Sequence, residues 1–390
     1  MTSPAQVRPK RDRRTLAAVQ AAPYPPRDRG DLDPDQVLAL LPRGHRDWKR
    51  ILATLLAKHG HKHGTKDKGV SNRTLYERPR FLFQFFRDLH AQTIYHTVEP
   101  RCLGNRHVAA MVALWAKRGL SAGTIANYLS ILRVFMTWIG KDPGVVRTAA
   151  QYLGDDSPLA HRRQVADYDH SWVAAGVAHA QVRERLFALC PHVAIQTEFS
   201  RLFGLRPREA RCLRPHEAVI PRSAALARDI DEGSTAMHYL RVAWGTKGGR
   251  PRDVPIETQA QWELIRRAQA LVPPGAHLGR PGYSLQQNTD HYYRVLSEVG
   301  VTRKDSGVTA HGLRHEFAND EYEKRAGLPS PVRGGAALQG SVSRDVRRRV
   351  SRLLGHNRPA VASCYLGQSV VMRSSASNGT DPSRGDGGGR

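Results

Sequence analysis

The amino-acid sequence predicts a mainly α-helical protein in two domains, with a small β-hairpin in the second. Three observations carry this. Apolar residues recur at helical spacing through most of residues 45–147. Helical patterns resume at Arg183. Within that second half, His238-Tyr-Leu-Arg-Val-Ala-Trp244 alternates, Gly245-Thr-Lys-Gly-Gly-Arg-Pro251 turns, and Arg252-Asp-Val-Pro-Ile256 returns as a hairpin. A length of 390 residues suits two domains with tails.

Charge points to the partner. Lys and Arg total 60 against 35 Asp and Glu, a net +25, which favours a polyanion and nucleic acid first. A basic membrane-surface protein is the rival, but no Lys-rich amphipathic helix or lipidation motif supports it. No apolar run approaches the roughly 20 residues of a membrane span, and the first ten residues lack the apolar core of a signal peptide. Cys102, Cys190, Cys212 and Cys364 lack metal or disulfide spacing, which fits a reducing cytoplasm.

Residues 1–44 are rich in Pro, Arg and Asp, with Tyr24-Pro-Pro-Arg27 and Leu32-Asp-Pro34 as breakers, and read as a disordered basic arm. A helix then begins after Asp47, with Trp48, Ile51, Leu52, Leu55 and Leu56 on one stripe. His59, His61 and His63 alternate in a Gly/Lys loop without Cys or Glu, so a solvated or phosphate-facing loop is favoured over a metal site. Ser71 caps a second helix whose Phe81, Phe85 and Phe86 read as core rather than base-stacking groups. Two more helices follow, Asn105–Arg118 and one opening at Ser121; on the last, Asn127, Ser130 and Arg133 lie off the apolar stripe, where they could meet a DNA backbone. Residues 45–147 thus form a helical domain and 148–158 a linker.

The second domain spans 159–372, with a disordered tail over 373–390. Arg183–Phe203 reads as helices, ending in Phe203-Gly-Leu-Arg-Pro-Arg-Glu-Ala-Arg-Cys-Leu213. Arg206 stands just before a new helix with Pro207 at its first position, and Glu209 can orient Arg206 or cap the helix. Lys247 sits at the hairpin tip, flanked by Arg250 and Arg252 as DNA contacts, and can protonate a departing oxygen. After two helices (259–271 and 285–300) comes Thr309-Ala-His-Gly-Leu-Arg-His-Glu-Phe-Ala318. Helical spacing brings His311 beside Arg314 or His315. Leu353-Leu-Gly-His356 reads as a helix end capped by Gly, and Tyr365 follows nine residues after His356. Arginine offers a fork that fits two phosphate oxygens, imidazole moves protons near neutrality, and a phenolate can attack phosphorus. Each residue alone has a bland reading; the set does not.

Taken in this order, Gly204-Leu-Arg206 with Glu209, Lys247, His311-x-x-Arg314, Leu354-Gly-His356 and Tyr365 resemble the tyrosine recombinase (phage integrase) family. The resemblance covers roughly residues 159–366, and 45–147 is similar to the helical (SAM-like) core-binding domain of such enzymes. The run from Ala310 is also similar to integrases carried by proteobacterial mobile elements.

The resemblance implies a C-shaped clamp of two domains around duplex DNA, in the cytoplasm of a bacterium and associated with its nucleoid. It implies site-specific recombination through a 3′-phosphotyrosine, integrating or excising a mobile element without metal, ATP or other cofactor. Tyr365 attacks, Arg206 and Arg314 clamp the phosphate, His311 and His356 assist, Lys247 protonates the 5′-oxygen, and Glu209 and His315 support from behind. Partners are the recombination sites, four protomers acting on two of them, and accessory DNA-bending proteins.

A type IB-like topoisomerase and a non-catalytic DNA-binding regulator are the alternatives. Two departures stand out: a long stretch between Arg314 and His356, including Ala326–Gly335 and Gly340-Ser-Val-Ser343, reads as an inserted loop, and few ordered residues follow Tyr365.

Overall fold

The computed structural model describes residues 32–62, 69–231, 233–336, 340–356 and 358–368. The chain divides into two compact units, residues 1–163 and 164–390.

In the first unit, the Asp33 carboxylate accepts from the backbone N–H groups of Asp35 and Gln36, and the Gln36 side chain accepts from Asp33 N–H. This capping box opens a helix at Pro34–Ala39, α1. The expected disordered arm is therefore corrected over its last part: Asp33-Pro34 starts a helix rather than breaking one, and Leu41 behind it is buried. Residues 1–31 of that arm, His63 and the expected tail 373–390 lie outside the described residues.

Four longer helices make the body of the unit: Trp48–His59 (α2), Asn72–Gln92 (α3), Asn105–Lys117 (α4) and Ala122–Trp138 (α5). Asp47, Ser71 and Ser121 cap α2, α3 and α5. Their apolar stripes close on one core that includes Ile51, Leu52, Leu82, Phe85, Phe86, Met111, Val112, Leu132 and Phe135. Phe81 stacks on Tyr128 at 4.3 Å and His59 on Trp138 at 5.9 Å, so these rings serve packing. The expected linker is corrected too. Thr148 and Gln151 form a capping box on a short helix, Ala149–Leu153 (α6), and the Tyr152 hydroxyl donates to Asn105 Oδ1 at 2.7 Å. Its Pro and Gly punctuate a packed turn, and the boundary between units falls after Arg163.

The second unit opens with His179–Leu189 (α7) and Pro191–Phe203 (α8), broken at Cys190 because Pro191 can start a helix but not continue one. Pro207–Cys212 (α9) leads into an antiparallel sheet of Val219–Pro221 (β1), His238–Val242 (β2) and Arg252–Pro255 (β3), in that order. Leu240 pairs with Val219 on one side and Val254 on the other. Three residues are too few to show alternation, so β1 is not legible in the sequence. Gln259–Leu271 (α10), Leu285–Glu298 (α11), Gly312–Ala326 (α12), Gly340–Leu353 (α13) and Ser363–Leu366 (α14) complete the unit. Phe199, Phe203, Leu240, Val254, Leu264, Phe317, Val350 and Leu354 are in its main core.

Gly340-Ser-Val-Ser343, expected within an inserted loop, is instead the first turn of α13. Val346, Val350 and Leu353 mark its buried stripe, masked in the sequence by five interspersed arginines. Among the described residues no helix is long and apolar enough to cross a membrane.

One tight point joins three elements. Gly204, just past α8, has φ +62°, and a Cβ there would lie 2.4 Å from the Phe317 ring and 3.1 Å from Leu354. Gly204→Ala is expected to cost about 3 kcal/mol through left-handed strain and overpacking. A lower urea midpoint at constant slope would register that loss; an unchanged midpoint would show the turn has room for a methyl group.

Candidate active site

The site grows from the bend after α8. Its left-handed turn at Gly204 delivers Arg206 to the N-cap of α9, one turn before Glu209. Glu209 is wholly buried, and three guanidinium groups converge on its carboxylate. Arg206 donates to it from its backbone N–H at 2.7 Å and from Nη1 at 2.6 Å. Arg252 donates from Nη1 at 3.0 Å and Nη2 at 2.8 Å, and Arg314 Nη1 lies 3.9 Å away. Burial alone would raise the Glu209 carboxyl, but the charges of Arg252, Arg314 and Arg206 outweigh it and hold the group well below the carboxylate range.

Arg314 is fully buried near the start of α12, and burial lowers it to about 10. Its Nη1 donates to the carbonyl of Gly204 and its Nη2 to that of Leu354. Both carbonyls belong to helix C-terminal ends, of α8 and α13, where unpaired C=O groups carry partial negative charge. Helix ends thus hold the cation that the interior would otherwise reject. The remaining Nε–H donates to the Tyr365 hydroxyl at 3.2 Å.

His356 follows Gly355, whose φ of +68° ends α13 and brings the backbone against Arg252. Its Nε2 faces Arg206 Nη2 at 3.3 Å, Arg314 Nη2 at 3.4 Å and the Tyr365 hydroxyl at 3.5 Å. Guanidinium nitrogens only donate, so Nε2 is the acceptor and the ring proton belongs on Nδ1. Burial, then the charges of Arg314, Arg206, Arg252 and Lys247, push this imidazole down to about 3. His311, at the N-cap of α12, has its ring 5.9 Å from that of Tyr365 and is lowered by burial, then by the charges of Arg314 and Arg206, to about 4. His315 lies closer, ring to ring 4.7 Å, and burial and His311 take it to about 3. All three are therefore neutral at pH 7.

Tyr365 is only 5% exposed and sits on α14, which is tied down where Ala166 N–H donates to the Ser363 carbonyl at 2.9 Å. The nucleophile candidate thus lies in the pocket of its own chain, beside Arg314, His311, His315 and His356. Lys247 is exposed in the turn Lys247–Gly249 between β2 and β3, near enough for its charge to act on His356.

Among the expected DNA contacts, Arg250 is exposed on the hairpin and Asn127 lines a cavity of about 640 Å³ with Arg73, Tyr76 and Arg80. Two others are corrected. Arg252 is 3% exposed and spends its guanidinium on Glu209 and, from Nε at 2.8 Å, on the Leu353 carbonyl. It shares the inward period of Val254 and Ile256, a signal present in the sequence. Arg133 donates to the carbonyls of Val146 and Arg147 at 3.0 and 2.7 Å and braces the turn before α6. His170, 5.1 Å ring to ring from His315, carries no motif that would have singled it out.

Comparison with known proteins follows the same division of the chain. Residues 171–320 match the family model described as integrase, and residues 56–145 match the model described as phage integrase, N-terminal. Among solved structures, the chain is similar to a lambda integrase dimer bound to a COC′ core site (16% identity, TM-score 0.48, 82% of this chain and 94% of that one). It is also similar to the Tn1549 transposon integrase in complex with circular intermediate DNA (14%, TM-score 0.45, 82% and 96%). XerH site-specific recombinase bound to difH substrate gives 15%, TM-score 0.42, and 74% of each chain. No curated protein matches. Family membership rests on the two family models.

Histidines buried neutral stabilise the fold above their unfolded value, and that stability is lost as pH falls from about 6.5 toward their folded values of about 3 to 4. Each contributes a slope of about 1.4 kcal/mol per pH unit in that window. His315→Phe is expected to flatten the stability–pH profile by about one such slope between pH 6 and 4.5, measured by urea unfolding. An identical slope would mean that His315 already titrates freely in the folded chain.

Proposed function

The chain belongs to the tyrosine recombinase (phage integrase) family of site-specific DNA recombinases, and from that premise we propose how its residues act. Tyr365 Oη attacks the scissile phosphorus, the bond from phosphorus to the 5′-oxygen breaks, and a 3′-phosphotyrosine and a 5′-hydroxyl result. The observation that carries this is the phenol oxygen held 3.2 Å from Arg314 Nε in the pocket that Arg206 and His356 share.

Arg206 and Arg314 bind the non-bridging oxygens, where negative charge grows in the transition state. The phenol proton passes to His356 or His311. Both are neutral, the only form able to accept it, and the arriving phosphodiester offsets the arginine charges that depress them. Lys247 delivers a proton to the 5′-oxygen from the hairpin tip. Glu209 positions Arg206, and His315 packs the α12 end against Tyr365.

A phosphotyrosine ester is close in energy to the DNA ester it replaces. A 5′-hydroxyl from another strand therefore reseals it with no metal or ATP step. Two rounds between two duplexes pass through a four-way junction, with four protomers on two sites. The net +25 supplies salt-sensitive affinity. The products are integration or excision of the mobile element that encodes the chain, in the bacterial nucleoid.

The direct test is capture of the chain on a duplex spanning an end of that element. Tyr365→Phe is expected to bind but form no denaturant-resistant adduct; an adduct with this variant would remove Tyr365 from the chemistry. Lys247→Ala is expected to lose at least about 100-fold in cleavage and to recover on a 5′-bridging phosphorothioate, whose leaving group needs no acid. Absence of recovery would count against that role.

A further inference from the structure

A cleft of about 780 Å³ adjoins the pocket on the hairpin side of His356. Its walls include Arg228, Gly249, Arg250, Arg348, Arg352 and His356. That volume holds a ligand of several groups rather than a single ion. Four arginines besides the buried Arg252 face it; Arg228 lies 3.9 Å from the Asp229 carboxylate and donates to the Pro251 carbonyl at 2.9 Å. Among the described residues neither Arg250 nor Arg352 has an ion-pair partner, and Arg348 pairs with the exposed Asp345 at 2.8 Å. The one acidic group in its lining, Asp229, is 3% exposed, accepts from the Asp253 N–H at 3.0 Å and, of these arginines, offsets Arg228 alone, which leaves Arg250 and Arg352 as the uncompensated charges of the cleft.

The cleft's place in the fold selects which part of DNA it meets. Gly249–Arg252 belong to the same hairpin as Lys247, the group assigned to the departing 5′-oxygen, and His356 is a wall common to cleft and pocket. A strand running from the phosphate past Lys247 therefore enters between the hairpin and the C-terminal half of α13, with Arg348 and Arg352 below it.

We propose that this arginine-lined cleft binds the sugar–phosphate backbone of the strand that ends in the freed 5′-hydroxyl. Held there, the hydroxyl stays at high local concentration beside the phosphotyrosine until it is exchanged or rejoined. This rests on the recombinase reading above.

The test uses the full chain with Arg348→Gln and Arg352→Gln combined, both at exposed positions where folding is not at stake. Affinity is measured against salt on three duplexes: one spanning the bond that the wild type cleaves, one cut short just past that bond on the side of the freed 5′ end, and one cut short on the other side. Loss of two phosphate contacts lowers the slope of log K against log salt by about 2. That drop is expected on the intact duplex and on the one shortened on the other side, while variant and wild type coincide on the duplex lacking the leaving side. An equal drop on all three duplexes, or none on the intact one, would overturn the proposal. If the wild type forms no covalent adduct on any duplex, the recombinase reading fails first and this assignment falls with it, an outcome visible before the variants are compared.

Discussion

A single buried carboxylate organises this molecule. Glu209 has no exposure to solvent and gathers Arg206, Arg252 and Arg314 around it. Burying a charge costs several kcal/mol per ion unless partners and hydrogen bonds compensate. Here the compensation is lopsided: three guanidinium groups against one carboxylate leave two positive charges in excess. Arg252 is consumed by structure, bonded to Glu209 and the Leu353 carbonyl. Arg206, its side chain about one-fifth exposed, and Arg314 next to Tyr365 keep the surplus directed at the cavity. A phosphodiester supplies one negative charge and its pentavalent transition state a second, so on the proposed mechanism the two surplus charges match the latter.

The same field explains the histidines. Burial and the arginine charges keep His311, His315 and His356 neutral, so no further positive charge is added to an already overcharged pocket. The fold provides the anchorage. Arg314 crosses between the carbonyl ends of α8 and α13, Gly204 and Gly355 make the two left-handed turns that aim those carbonyls, and the Phe317 ring fills the space that a side chain at 204 would need. Segments far apart in the chain meet because two helix ends and one cation satisfy one another.

Much of this was legible in the sequence because it is local chemistry. Arg206 before Pro207 with Glu209 three on, His311-x-x-Arg314 on one helical turn, and Gly355 before His356 each announce a backbone geometry. The helices of residues 45–147 were legible for the same reason, a regular apolar stripe. What escaped depends on partners distant in the chain. Arg252 reads as one more basic hairpin residue until β3 turns its side inward onto Glu209. Arg133 looks like a surface cation until the turn at Val146 and Arg147 offers it carbonyls. Helices α1 and α6 are short enough that their Pro and Gly neighbours read as breaks, although Asp33 and Thr148 already carried the caps. The start of α13 was hidden by arginines that outnumber its apolar contacts.

The surplus charge held by Glu209 is tested most directly by removing charge from both sides of the contact. On a duplex whose scissile phosphate is replaced by a neutral methylphosphonate, cleavage by Arg206→Ala is expected to rise well above its rate on the ordinary phosphodiester, because the charge that Arg206 neutralises is gone. A variant that remains as inactive on the neutral linkage as on the natural one would contradict an electrostatic role for the Glu209-held guanidinium groups.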